Sequence, residues 1–130
     1  MSSTAPVADF DYIQRDALRL NLQKELLEQI PMAAAMQLAI AQWDGERVDL
    51  HAPLAPNVND KGCAFGGSLV SVMTLACWSL IKLAADQRGF ACEIYVQVST
   101  VRYLAPAWDD FRAFAQVADG LLQVVQLALV

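Results

Sequence analysis

The sequence predicts an α+β domain in which one long, apolar helix is wrapped by an antiparallel sheet. Three observations support this prediction: a helical run near the middle of the chain that is apolar nearly all round, a hairpin turn before it, and β-rich segments after it. A helix with so little polar face must be covered on most sides. One layer of sheet covers only half of it, so we expect a second copy of the chain to cover the rest.

A helix and a hairpin are predicted before the central loop. Over 11–30, apolar residues recur at near-helical spacing among charged ones, and Pro31 ends the pattern. We predict an amphipathic covering helix there, preceded by a frayed tail. The period then changes to two on both sides of Asp44-Gly45, and an Asp-Gly pair in such a position favours a hairpin. The expected strands are about 35–43 and 46–52.

The central helix follows a long loop, 52–62, which is rich in Pro, Asn and Asp. Irregular loops of this length often carry function. The helix is predicted over 66–87, because Arg88-Gly89 is a typical helix stop. β-Branched and aromatic residues then predict three strands, with an Asp119-Gly120 turn between the last two, at 91–104, 111–118 and 121–130.

The composition limits the class of protein. The 130 residues suffice for one domain, which we divide into a tail and helix, 1–30, and a main domain, 31–130. The chain is 56% hydrophobic and 18% charged, which favours a homo-oligomer. Its formal net charge of −5 argues against a nucleic-acid partner. No run of eighteen apolar residues and no secretory leader is evident, so we expect a cytoplasmic protein without a membrane partner.

Three cysteines are an odd number without CxxC spacing, which argues against a zinc site or a disulfide framework. Cys77 and Cys92 are predicted to lie in the core, whereas Cys63, in the loop, is predicted to be partly exposed. The single histidine, His51, is far from Cys63 in sequence, which disfavours a catalytic thiol.

The start of the central helix is the candidate site, because Gly66 and Gly67 open it directly after the polar loop. Glycine lets a ligand approach the backbone, and the first-turn N–H groups carry partial positive charge without helical acceptors. A phosphate, a carboxylate or a developing oxyanion would suit such a position. The alternative is close packing of the helix start against a neighbouring element. The pattern matches neither the phosphate-binding motif GxxxxGK[ST] nor the dinucleotide-binding motif GxGxxG, so nucleotide binding of those two kinds is disfavoured.

Several stretches resemble the hotdog-fold thioesterases, in which a curved antiparallel sheet wraps a long helix. The stretch Asn59-Asp60-Lys61-Gly62-Cys63-Ala64-Phe65-Gly66-Gly67 is similar to the motif N-x-x-G-x-x-H-G-G of the phenylacetyl-CoA-thioesterase-like branch, with Phe65 in place of histidine. Residues 55–62, 64–69 and 101–106 resemble more narrowly the thioesterase-like domain that follows a Gcn5-type acetyltransferase in some bacterial fusions. The resemblance covers roughly 31–118.

The resemblance implies a substrate and an assembly. The substrate would be a thioester of coenzyme A or acyl carrier protein, bound at the interface of a homodimer or tetramer, and an acetyltransferase is a further expected partner. Coenzyme A would enter only as part of the substrate, and neither a metal nor a separate cofactor is expected.

The resemblance also implies roles for residues around the glycines. The amide of Gly66 or Gly67 would polarise the carbonyl, and Asn59 would place the carbonyl or water, unless it only forms a turn. The family's helix carboxylate, which acts from the partner subunit, corresponds here to Thr74. Threonine is no carboxylate base, although it can orient water or bond back to its own helix. Asp60 is the nearest carboxylate in sequence.

Substrate contacts are predicted for three further residues: Phe65 at the motif's histidine position, Ser68 in the first turn, and Arg102 towards the phosphates of coenzyme A. Two functions stay open. One is an acyl thioester hydrolase, and the other is a non-catalytic acyl-CoA-binding or acetyltransferase-partner module, which the missing carboxylate favours. A dehydratase would need a histidine with an acidic partner in the site, and His51 alone gives poor support for it.

Overall fold

The computed structural model describes residues 7–118, 121–123 and 127–129. The described chain combines helices with one antiparallel sheet, which confirms the predicted α+β class. Its elements are α1 Val7–Gln29, α2 Pro31–Ala35, β1 Ala39–Trp43, β2 Arg47–Ala52, a 3-10 turn Ala55–Asn57, α3 Gly66–Gln87, β3 Phe111–Ala118, β4 Leu121–Gln123 and β5 Leu127–Leu129.

The sheet places one apolar face towards α3. β2 lies between β1 and β3, and β4 and β5 both pair with the other edge of β3. Along β2 the side chains of Val48, Leu50 and Ala52 are fully buried, and the residues between them are not. Because side chains alternate across a strand, one face of the sheet is apolar and buried, and the other face is partly exposed to solvent.

α3 packs on the apolar face of the sheet, and α1 packs on β1 and α3. Both helices and the strands contribute to one core, whose largest fully buried apolar members are Phe111, Leu22, Ile40, Leu50, Leu80, Leu83, Val48 and Val72. By length and composition α3 could also cross a membrane, but a core helix passes the same test. The other face of α3 is only partly buried, so a single chain covers the helix incompletely.

Local sequence patterns located the central helix and the hairpin correctly. α3 has the predicted bounds, and Gly89 follows its C-cap residue at φ +73°, the left-handed conformation that commonly ends a helix. In the hairpin, Gly45 has φ +99°, and the Asp44 carboxylate accepts two main-chain N–H groups at 2.8 Å each. Glycine and a short acidic side chain therefore make this turn.

Helix and strand bounds near the N-terminus differ from prediction. α1 begins at Val7, earlier than expected, and residues 1–6 of the predicted frayed tail lie outside the described residues. β1 begins at Ala39 instead of about 35, because Pro31–Ala35 forms a short helix. Proline suits the first helical position and alanine has the highest helix propensity, so both favour that helix.

The predicted strand over 91–104 is wrong, since the structure assigns it no regular structure. The segment runs back along α3 instead: the Trp78 Nε1 donates to the Ile94 carbonyl oxygen at 3.1 Å, and Tyr103 reaches Gly66. Both edges of β3 are already paired, and the segment pairs with no other described strand. Its β-branched and aromatic residues favour a strand only when a neighbour is present.

The last predicted strand is described only in part. β4 and β5 fall within 121–130, while residues 124–126 and 130, and the predicted Asp119-Gly120 turn, lie outside the described residues. β3 has its predicted bounds, 111–118.

Candidate active site

The first turn of α3 presents backbone N–H groups that no protein atom caps within the described chain. The N-cap residue is Phe65, at φ −65° and ψ 132°, and no side chain caps the helix. N-cap positions normally carry Ser, Thr, Asp or Asn, whose side-chain oxygen accepts one of these hydrogens. The amides of Gly66, Gly67 and Ser68 also make no main-chain hydrogen bond to a described residue outside the helix. Gly66 is partly exposed and Gly67 is exposed, so their amides are available to an external acceptor, whereas Ser68 is buried.

Hydrogen bonds from the neighbouring loops hold this helix start in place. The Phe65 N–H donates to the main-chain oxygen of Asn57 at 2.7 Å, and the Ala64 N–H donates to that of Ala107 at 2.8 Å. The Asn57 side chain, 2% exposed, donates from Nδ2 to the carbonyl oxygens of Met36 at 3.0 Å and Pro53 at 2.7 Å. The sequence pattern does not mark Asn57, because a buried loop asparagine leaves no periodic signal.

Asn59 shapes the loop that precedes the glycines. Its Oδ1 accepts the N–H groups of Lys61 at 2.8 Å and Cys63 at 3.2 Å, and its Nδ2 donates to the Cys63 Sγ at 3.2 Å. The turn-forming role that we kept as an alternative is therefore present. Both acceptor sites of Oδ1 are used, which leaves the second hydrogen on Nδ2 as the group Asn59 could offer to a substrate.

Two aromatic rings lie against the glycines. A Cβ atom on Gly66 would lie 3.3 Å from the Tyr103 Cε1, and one on Gly67 would lie 2.5 Å from the Phe65 Cε2. Close packing, the alternative explanation for the glycine pair, is therefore real. Yet Phe65 and Tyr103 remain 55% and 62% exposed, so the corner stays open to solvent beside the rings. No sequence pattern predicts a role for Tyr103, since its contact with Gly66 depends on the path of the irregular segment.

The two candidate residues on α3 after the glycines, Ser68 and Thr74, differ in burial. Ser68 is buried, and Thr74 is partly buried. Among the described residues it is Ser71, not Thr74, whose hydroxyl bonds back to the helix, at 2.8 Å from the Gly67 carbonyl oxygen. Thr74 lies seven residues after Gly67, so it shares that helix face but sits about 10 Å further along the axis. Thr74 could reach a carbonyl held by those amides only from a second subunit.

The charged candidates are solvent-exposed. The Asp60 side chain is 80% exposed and pairs with Lys61 at 3.2 Å. Arg102, just before Tyr103, is exposed as well. Surface pairs of this kind contribute little stability, so the pair with Lys61 does not fix the Asp60 carboxylate firmly.

His51 lies on the other side of the sheet from α3. Its neighbours Leu50 and Ala52 are fully buried under the helix, so alternation directs His51 to the outer face, where its Nε2 is 4.0 Å from the Asp110 carboxylate. A dehydratase would need that histidine beside the helix start, so the geometry disfavours this alternative.

Two of the three cysteine predictions are wrong. Cys63 is buried, because the loop folds its sulfur onto Asn59, and Cys92 is exposed, because the segment that carries it has no covering strand. Cys77 is half-buried on α3, and burial raises the pKa of its thiol, which keeps it protonated at neutral pH.

A family comparison matches most of the chain. The family described as "Putative thioesterase (yiiD_Cterm)" matches residues 19–126. A crystal structure from Chlorobaculum tepidum TLS, described as a protein of unknown function, is 34% identical with a TM-score of 0.78, over 81% of this chain and 64% of that one. The chain thus spans less than two thirds of that relative.

Two further crystal structures are described as thioesterases. A "putative thioesterase" from Shewanella oneidensis is 26% identical with a TM-score of 0.75, over 82% of this chain and 90% of that one. A "probable thioesterase" from Pseudomonas aeruginosa is 23% identical with a TM-score of 0.61, over 76% of this chain and 66% of that one, and supports the fold alone. The chain therefore belongs to the yiiD_Cterm thioesterase family, within the hotdog-fold thioesterase superfamily.

Proposed function

We propose that this chain hydrolyses acyl thioesters of coenzyme A or acyl carrier protein in a crevice between two copies of the chain. The observation that carries the proposal is the uncapped start of α3, where the amides of Gly66 and Gly67 have no hydrogen-bond acceptor among the described residues. Membership in a thioesterase family gives those amides a chemical use. Free amides at a glycine-opened helix start suit the oxygen of a reacting carbonyl.

The proposed reaction uses water as the nucleophile. Water attacks the carbonyl carbon, and the π electrons of the C=O bond move to oxygen, where the Gly66 and Gly67 N–H groups stabilise the negative charge. The intermediate then collapses, the carbon–sulfur bond breaks, and the sulfur leaves with the electron pair. The sulfur takes up the proton that the attacking water loses, so the products are a carboxylic acid and a free thiol. Removal of one such oxyanion donor typically costs about a hundredfold to a thousandfold in kcat.

The attacking water must be oriented, and Asn59, Asp60 and Thr74 are the proposed groups. Asn59 offers one unused N–H, and Asp60 is the carboxylate nearest in sequence to the glycines. Thr74 lies about 10 Å from Gly67 along α3, so in this proposal it acts on the active site of the partner chain. A hydroxyl orients water by one hydrogen bond but does not remove its proton as a carboxylate does.

Substitution of Thr74 by valine, which keeps the shape and removes the hydroxyl, is expected to lower kcat about tenfold, the effect of losing one hydrogen bond. Thr74→Ser retains the hydroxyl and should keep most of the activity. Thiol release from a panel of acyl-CoA and acyl carrier protein thioesters measures both. No release by the wild type above background on any substrate would disprove hydrolysis, and equal kcat for Thr74→Val and the wild type would remove Thr74 from the mechanism.

The expected assembly is a homodimer, with a tetramer as a larger form. Large apolar side chains line the irregular segment after α3, where Tyr95, Val98 and Leu104 are 84%, 80% and 83% exposed. Within the described residues this segment has no strand partner, and an unpaired apolar segment readily pairs with another chain. A second copy could cover both this segment and the outward face of α3.

Substitution of Val98 by glutamate is therefore expected to shift the dimer towards monomer and to lower thioester hydrolysis with it, because burying an unpaired charge is costly. Ile13→Glu on α1 is the matched control, since Ile13 is also exposed and lies on another element. Light scattering coupled to size-exclusion chromatography measures the mass. A wild-type protein that is monomeric at micromolar concentration would contradict the dimer.

A binding module without turnover is the second candidate, because Thr74 occupies the position of the family's helix carboxylate. Stabilisation of the fold by acyl-CoA without thiol release would favour it, since a ligand that binds only the folded state raises its stability. An acetyltransferase partner and a cytoplasmic location stay predictions.

A further inference from the structure

Two exposed aromatic rings stand beside the proposed oxyanion amides, and the proposed reaction assigns neither ring a role. Phe65 approaches from the loop before α3, and Tyr103 approaches from the segment that runs back along the helix. Large aromatic side chains are mostly buried in folded proteins, but these two are more than half exposed. Other aromatic side chains are exposed too, but these two each lie against one glycine of the pair.

We propose, on the basis of the proposed function, that Phe65 and Tyr103 determine acyl specificity and favour apolar acyl groups over carboxylated ones. A carbonyl oxygen that accepts a hydrogen bond from an amide lies about 2.9 Å from its nitrogen. The Phe65 ring lies 2.5 Å from where a Cβ on Gly67 would be, and the Tyr103 ring lies 3.3 Å from where a Cβ on Gly66 would be. In this proposal the substituent on the bound carbonyl packs against one of these rings.

The chemistry of the rings sets the preference. An alkyl or aryl group gains apolar contact on a ring face and loses exposure to water. A carboxylate at the same place meets the negative face of the ring and loses hydration without a compensating partner. Arg102 does not change this comparison, because we assign it to the phosphates, which all coenzyme A thioesters share.

The Tyr103 ring, not its hydroxyl, carries the proposed selectivity. The Tyr103 Oη lies 3.5 Å from the Gly66 carbonyl oxygen, which is long for an O–H···O hydrogen bond. Tyr103→Phe should therefore keep the selectivity for apolar acyl groups, whereas Tyr103→Ala should reduce it. Comparing the two variants therefore separates loss of the aromatic ring from loss of a hydrogen bond.

The test measures binding separately from turnover. Octanoyl and succinyl derivatives of coenzyme A, in which CH₂ replaces the thioester sulfur, cannot be hydrolysed, and calorimetry gives their Kd values. We expect the wild type to prefer the octanoyl compound, and Phe65→Ala and Tyr103→Ala each to reduce that preference about tenfold, the range for a lost apolar contact. Tyr103→Phe should keep the preference. Tyr12→Ala, which removes an exposed aromatic ring on α1, should keep it too.

The outcomes separate the two proposals. If the wild type binds with the expected preference but releases no thiol from true thioesters, hydrolysis is disproved, whereas the proposed specificity role of Phe65 and Tyr103 is retained. If thioesters are hydrolysed while both alanine variants keep the wild-type Kd ratio, the proposed specificity role of Phe65 and Tyr103 is disproved and hydrolysis is retained. Equal affinity of the wild type for both compounds, or no binding of either, directly overturns the proposed specificity role of the two rings.

Discussion

Substitution of Gly67 by alanine should remove most thioester hydrolysis and leave the folded protein at least as stable as the wild type. The new methyl group would lie 2.5 Å from the Phe65 Cε2, so the ring must move. The ring is half-exposed and attached by a flexible side chain, so it can swing away at little cost. Alanine also favours a helix over glycine by about 1 kcal/mol, which offsets the displacement.

The activity should fall for a different reason. The methyl group and the displaced Phe65 ring both occupy space next to the Gly67 amide, and a misplacement of about 1 Å at a reacting group can cost about a hundredfold in rate. We therefore expect kcat/KM to fall about a hundredfold while the melting temperature stays level or rises by a few degrees.

Gly89 provides the control, because its substitution should lower stability and leave activity unchanged. Gly89 has φ +73° after the end of α3, and a Cβ there would meet no atom within 4 Å. Gly89→Ala should lower the free energy of unfolding by about 1 kcal/mol through backbone strain and leave hydrolysis unchanged. Thiol-release kinetics and thermal unfolding measure both variants. Full activity in Gly67→Ala would show that the Gly67 corner is not where the carbonyl binds.

Short-range patterns were enough to predict the helix that carries the site. The apolar run and Arg88-Gly89 give the bounds of α3, and Asp44-Gly45 gives the hairpin, because each depends on residues close in sequence. The strand predicted over 91–104 failed for the opposite reason. Strand formation needs a hydrogen-bonded neighbour, and side-chain propensity alone does not supply one.

The candidate site was predictable to the same extent. The glycine pair and the loop before it mark the free amides, which are a local property of a helix start. The contact between Tyr103 and Gly66 joins residues 37 apart in the chain. The burial of Asn57 depends on Met36, which lies 21 residues away. Such contacts follow from the path of the chain, so the sequence pattern did not reveal them.

Substitution of Asn57 by alanine is expected to cause the largest loss of stability at this corner. The Asn57 Nδ2 supplies hydrogen bonds to the carbonyl oxygens of Met36 and Pro53, and its own Oδ1 has no partner among the described residues. The side chain therefore stabilises the fold through its two N–H groups. Alanine would leave the buried carbonyl group of Met36 and the partly buried one of Pro53 without that donor, and a buried, unsatisfied group costs about 1 to 3 kcal/mol.

The free energy of unfolding should accordingly fall by about 2 to 5 kcal/mol, a large part of the 5 to 15 kcal/mol typical of a domain. Hydrolysis should fall as well, because the main-chain oxygen of Asn57 fixes the Phe65 N–H at 2.7 Å and thereby the start of α3. Asn57→Asp tests the donor argument, since it keeps the shape, removes both N–H groups and should destabilise at least as much.

Urea unfolding measures these changes, with Asn21→Ala on the exposed surface of α1 as the control expected to stay within about 0.5 kcal/mol of the wild type. A loss of less than about 1 kcal/mol in Asn57→Ala would contradict the argument, because a single typical hydrogen bond already contributes that much. A stable Asn57→Ala variant with reduced hydrolysis would instead assign Asn57 to positioning the helix start. The two losses should appear together if one side chain both holds the loop closed and fixes the amides that the reaction uses.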